Sequence, residues 1–188
     1  PSVGVPVIRG LTGSRVLVAQ GGLGSHDASN ISPDHANTVE ALLTDEIRIE
    51  KGPAVIRYGG TALGGVVNMI DSRVAEYLPE KPFSMSGEYH YGSNSDEQTG
   101  LIKLDKVFND FFVIHVDGLI RGRELTEIPG LAMDEFAVRE QFGLEASGNT
   151  DGFIGNSDAN TRTGAVGFSF VDDAKGFLGA SVSVYETN

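Results

Sequence analysis

Two acid and imidazole pairs stand near the start of the sequence, His26-Asp27 and Asp34-His35. A carboxylate oxygen and an imidazole nitrogen are both ligands of Zn²⁺, and a tetrahedral site takes one or two more donors than such a pair supplies. Asp34 and His35 follow Ser32-Pro33, which reads as a helix start with Ser32 at the N-cap and Pro33 at the first helical position. Side chains of a first turn are commonly exposed. The same spacing also fits plain helix-start chemistry, with Asp34 favoured by the helix dipole and His35 solvated. His26-Asp27 lies on a loop rich in glycine and serine, and reads first as a structural hydrogen-bonded pair, with a relay position for an ion as the alternative. The remaining two histidines, His90 and His115, fall on the polar sides of alternating strands.

Other chemistries are excluded by what the chain lacks. There is no G-x-S-x-G elbow, no H-E-x-x-H helix and no G-x-x-x-x-G-K phosphate cradle, and the glycines at 59, 60, 64 and 65 do not satisfy G-x-G-x-x-G. An enzyme is not expected, nor a catalytic residue. The absence of cysteine removes disulfides and thiolate metal sites. A net charge of −12 argues against nucleic acid, whose phosphates need clustered Lys and Arg. Eight acids against two bases fall between Gly122 and Thr161, where they attract cations at long range without defining a site.

The elements that must position these residues are organised around Lys51–Asp71, KGPAVIRYGGTALGGVVNMID. Gly52-Pro53 starts a short helix, Gly59-Gly60 stops it, and Gly64-Gly65 leads into the strand VVNMI, as where backbones pass closely. Before it, Arg15 to Ala19 reads as a strand, the Ser32 helix runs to about Thr44 with Ala36, Val39, Leu42 and Leu43 buried, and EIRIEK is a strand with Ile47 and Ile49 on one side. Charges and two prolines mark Ser72 to Pro82 as a boundary between a domain over 1–75 and a second over 76–188.

From Phe83 the pattern turns to period two, with about five strands. Phe83, Met85, Tyr89 and Tyr91 oppose Ser84, Ser86, Glu88 and His90, and Phe112, Ile114, Val116 and Ile120 oppose Val113, His115 and Asp117. One apolar and one polar face fit either a soluble half-buried sheet or the wall of a membrane barrel. The joins at Asn109-Asp110 and at 172–175 are short, whereas the one near 122–161 is about forty residues, long for a compact soluble domain. Tyr91, Phe108, Phe111 and Tyr185 are candidates for an interfacial girdle or for ordinary packing. No run of about 18 apolar residues is present, which excludes a membrane helix and leaves a barrel open.

IRIEKGPAVIRYGGTALGGVVNMID resembles the C-terminal part of the plug domain of TonB-dependent outer-membrane receptors, and the likeness extends over residues 1 to about 75, including PVIRGL and RVLVAQGG. Lys51 stands where Arg is usual in that pattern, and Arg57 where an apolar residue is common. SHDASNISPDHANTVEALL is similar to a segment of the zinc-uptake branch, whose metal ligands match Asp34 and His35. The resemblance implies an α+β plug domain followed by antiparallel transmembrane β-barrel strands, a piece of a plugged barrel of about 22 strands. It further implies TonB-dependent transport of zinc, bound between plug and barrel, with zinc as the cargo and no required cofactor. The remaining ligands are expected beyond Asn188, and His26 and Asp27 form a secondary metal candidate. The implied partners are the TonB system, through a segment outside this chain, and the lipid of a Gram-negative outer membrane. The alternatives are uptake of a siderophore, haem or other metal chelate and, from another class, a soluble β-rich binding module.

Overall fold

The computed structural model describes residues 5–25, 37–59, 62–172 and 176–188. The N-terminal part is a four-stranded sheet built from β1 (Val16–Gln20), β2 (Leu23–Gly24), β3 (Glu46–Glu50) and β4 (Gly65–Ile70), in the order β2-β1-β4-β3. β1 and β4 run parallel, with Val16 opposite Gly65 and Gln20 opposite Met69, while β3 is antiparallel to β4. Parallel neighbours need a long crossover, and the chain from 21 to 64 supplies it. Within it, Gly52–Tyr58 forms a 3₁₀ helix with Pro53 in its first positions, ended by Gly59 at φ 97°.

Val66 and Ala19 are fully enclosed in one cluster with Val55 and Ala62; Ile8, Val16 and Val67 form a second. Close approach explains the glycine pair that precedes β4. A Cβ on Gly65 would lie 2.8 Å from the Glu50 carbonyl oxygen and 2.8 Å from Ile8 Cδ1, and one on Gly64 would meet Leu11, Val16 and the Arg15 carbonyl at 3.0–3.1 Å. Any side chain there would push β4 away from its neighbours.

The helix expected from Ser32 to Thr44 is not continued through the described part of that segment. Residues 37–40 are irregular, and a single 3₁₀ turn spans Ala41–Leu43. The Glu40 carboxylate accepts a hydrogen bond from the Leu42 N–H, giving the backbone a local partner in place of a helical ladder. Leu43 is buried as expected, but Leu42 is exposed.

The C-terminal part is a five-stranded antiparallel sheet of β5 (Phe83–Gly92), β6 (Glu97–Phe108), β7 (Phe112–Arg123), β10 (Ala159–Asp172) and β11 (Gly176–Thr187), in the order β11-β10-β7-β6-β5. Asn109 and Asp110, both at positive φ, lie in the three-residue turn between β6 and β7. The connection read as one long loop carries structure of its own: a ribbon of β8 (Thr126–Leu131) and β9 (Asp151–Ile154), with helix α1 (Glu135–Phe142) between them. Asp134 caps α1 by accepting from the Ala137 N–H, and Gly143 closes it in the left-handed conformation.

Alternation along β7 and β10 turns two chemically different faces in opposite directions. Val113, His115, Asp117 and Leu119 of β7 and Ala165, Ser169 and Val171 of β10 form the buried, inner face, on which Leu119 meets Leu43, Asp117 meets Arg73 and Ser169 meets Ala75. Val116, Ile120, Val166, Phe168 and Phe170 stand on the outer face, largely exposed. The sheet therefore encloses a mixed face, where Thr99, His115, Asp117 and Ser169 lie among Val113, Leu119 and Val171, and presents large apolar side chains outward, unlike a soluble half-buried sheet. Phe170 meets Phe112 at a tilt with centroids 4.8 Å apart and stacks on Phe111 at 6.2 Å, beside Phe108 at the Asn109 end, where Lys106 lies over the rings of Phe83 and Phe108. Tyr185 does not join such a girdle. Its partner across the ladder is Thr163, on the inner face, so period two turns Tyr185 inward.

Candidate functional site

The described residues with the densest polar chemistry lie where the N-terminal domain meets the inner face of the sheet, and three elements of the domain reach across. The first is the 3₁₀ turn at 41–43. The Arg121 guanidinium of β7 donates to both carboxylate oxygens of Glu40, at 3.0 and 3.1 Å, and through Nε to Thr99 Oγ1 at 3.2 Å. Directly beneath, Leu43 packs with Leu101 and Leu119 of the sheet, all three buried. The second is the residue before β3, where Lys103 Nζ of β6 donates to the Asp45 carboxylate at 2.9 Å and the Thr44 carbonyl at 3.3 Å.

The third is the segment after β4. Arg73 donates through Nε to Asp117 Oδ2 at 2.6 Å and through Nη2 to Oδ1 at 3.0 Å, a paired, charge-assisted contact with both residues buried. Asp117 also faces His115 Nε2 at 3.1 Å, while His115 Nδ1 faces Asp105 at 2.7 Å and Ser84 donates to the other Asp105 oxygen at 3.0 Å. Burial acts to discharge Arg73, but its hydrogen bonds to Asp117 and the charges of Asp117 and Asp71 outweigh that and hold its pKa above the ordinary value. Arg73 is therefore a permanent cation in this network.

Between the domain and the sheet lies a crevice of about 250 Å³, lined by Val18, Val39, Glu40, Met69, Arg121 and Tyr185. A recess of about 940 Å³ opens further out, between β6, β7 and the ribbon, with Asp96, Glu124, Glu127 and Asp158 around Arg123. Among the described residues no group of three or more His, Asp or Glu is set to hold a metal ion.

Asp34 and His35, and the secondary pair His26 and Asp27, lie outside the described residues. His90 stands exposed beside Glu88, with Nε2 3.0 Å from its carboxylate. His115 is on the inner face and enclosed between two carboxylates. The residues that join the two parts, Glu40, Asp45, Arg73, Lys103, Asp117 and Arg121, were not singled out from the sequence. One signal for them was present: Asp117 and His115 occupy the side of β7 opposite Ile114 and Val116, and a buried polar side demands partners.

The model of the TonB-dependent Receptor Plug Domain matches residues 1–66. The pyoverdine outer membrane receptor FpvA from Pseudomonas aeruginosa PAO1, bound to pyoverdine, is similar with a TM-score of 0.64 at 14% identity, over 100% of this chain and 24% of that one. The ferric enterobactin receptor PfeA, in complex with BCV-L6, is similar with a TM-score of 0.62 at 16% identity, over 99% of this chain and 30% of that one. The chain thus spans less than a third of the length of each of these receptors. Residues 1–66 match the plug domain of TonB-dependent receptors, and the chain as a whole shares its fold with part of these two outer-membrane receptors.

Proposed function

We propose that this chain supplies the plug and first wall strands of a TonB-dependent transporter in the outer membrane of a Gram-negative bacterium, carrying zinc into the periplasm with TonB as the energising partner. It is a transporter and not an enzyme. The observation that supports this best is the pairing of a plug domain with a wall whose inner face is polar and ion-paired to it and whose outer face is apolar. A soluble binding module has no use for that polarity. The zinc reading rests on Asp34 and His35 within SHDASNISPDHA, an oxygen and a nitrogen ligand on the plug to be completed from the barrel. His26 and Asp27 are the secondary metal candidates.

A second reading, uptake of a metal chelate, is favoured by the likeness to the two solved structures, a pyoverdine receptor and a ferric enterobactin receptor. Metal content and zinc affinity of the intact receptor in detergent separate the two, measured beside the Asp34→Ala, His35→Ala variant. Stoichiometric zinc that is lost in the variant supports the zinc site. Equal zinc binding in both, or none in either, removes it and brings the chelate reading forward.

A further inference from the structure

The segment after β4 is fastened to the wall in a way that no other described part of the plug is. Arg73, Val74 and Ala75 cross the inner face of β10 and β11 over two glycines. A Cβ on Gly167 would overlap the Arg73 carbonyl, and one on Gly179 would lie 2.6 Å from Val74 Cγ1. The backbone is bonded in as well, since the Ala75 N–H donates to Ser169 Oγ at 2.8 Å and Ser169 is 1% exposed. Arg73 adds the paired contact to Asp117. Asp71 is the junction: one carboxylate oxygen takes Gln20 of β1 at 2.5 Å, and the other takes the Arg73 N–H at 3.1 Å.

Among the described residues, the plug's other two ion pairs with the wall are wetter. The side chains of Arg73 and Asp117 are 9% and 1% exposed, against 21% and 9% for Arg121 and Glu40, and 15% and 47% for Lys103 and Asp45. Water and salt reach both of these pairs more readily than the Arg73–Asp117 pair. Removing either member of the dry pair strands a buried charge, and a seat shaped to a backbone has no nearby alternative position.

We propose that residues 73–75 are a fixed strap, the point at which the plug stays fastened to the wall while the sheet upstream of Asp71 comes away. Motion of the plug then pivots at Asp71, and Gln20 is the first contact to part there. This concerns the order in which contacts yield and is independent of the cargo. Hydrogen exchange of the full receptor in detergent, in graded urea, tests it. The Ala75 amide stays protected at urea concentrations where β1 and β4 already exchange. Exchange of Ala75 together with β4, or before it, overturns the strap. Ser169→Ala removes the acceptor and leaves the two glycines intact; it speeds Ala75 exchange about tenfold without moving the β1 and β4 midpoint. Unchanged Ala75 exchange in that variant also overturns the proposal.

Discussion

Glu40 of the plug and Arg121 of the wall meet as a fork on a fork, two N–H···O bonds of 3.0 and 3.1 Å joining residues 81 positions apart in the chain. Glu40 also caps the 3₁₀ turn at 41–43 with the same carboxylate, so one side chain sets the turn and ties it to β7. Replacing Glu40 with Gln removes the charge and keeps the size. The expected loss is about 1.5–3 kcal/mol, the range for a hydrogen bond to a charged group. A double-mutant cycle with Arg121→Lys, read by urea unfolding of the plug, is expected to show strong coupling, because Lys cannot reproduce the paired geometry. Additive losses would mean that the fork carries no energy of its own.

Leu43 makes the apolar counterpart of that contact, 2% exposed and packed on Leu101 and Leu119. Leu43→Ala is expected to cost about 2–5 kcal/mol as a cavity between plug and wall. Leu42→Ala, at an exposed neighbouring position, is expected to stay within about 0.5 kcal/mol. Thermal or urea unfolding of both variants checks the difference.

The linking residues explain what the sequence does and does not reveal. Gly64-Gly65 before VVNMI is readable because its reason is local: β4 must approach the Glu50 carbonyl and Ile8 closely. Period two in β7 and β10 is readable too, yet alternation is symmetric and does not say which side is inside. That choice is made by what covers the sheet, and Arg73, 44 positions before Asp117, supplies the cover. The Ser32-Pro33 start pattern suggests a helix through Thr44, yet over 37–43 the described backbone is irregular and then a single 3₁₀ turn, which Glu40 caps while its carboxylate pairs with Arg121. Contacts between distant strands leave no periodic trace, so the strands are legible in the sequence while the joins of Arg73 to Asp117 and of Glu40 to Arg121 are not.

Glu50 gives the plug a pH dependence. It accepts hydrogen bonds from Arg57 at 2.6 Å and Tyr58 at 2.8 Å, and these lower its pKa, the Arg57 bond most. A carboxylate depressed in the folded state contributes stability that is fully present above its unfolded pKa of about 4.3 and is lost as pH falls through the folded value. Plug stability is therefore expected to fall in acid below about pH 4, and Arg57→Ala to flatten that fall. Following the Glu50 side-chain carboxyl by NMR titration in both proteins checks the sign. An unchanged midpoint in Arg57→Ala would contradict it.

The two faces of the wall make opposite predictions for the same substitution. Val166 lies on the outer face of β10 at 54% exposure, opposite Val182 and Val116. In water an exposed valine replaced by arginine changes stability by about 0.5 kcal/mol or less. In a bilayer the charge must leave hydrocarbon, and near the midplane the cost is about 2–4 kcal/mol. Ser183, one position from Val182 on β11, pairs with Ala165 and turns to the polar inner side, where a charge meets water or the plug. Val166→Arg is therefore expected to weaken folding of the full barrel into lipid vesicles by about 2–4 kcal/mol, and Ser183→Arg by much less. Urea titration of vesicle-folded protein measures both. Equal, small effects would favour a soluble sheet and remove the membrane wall on which the transport reading stands.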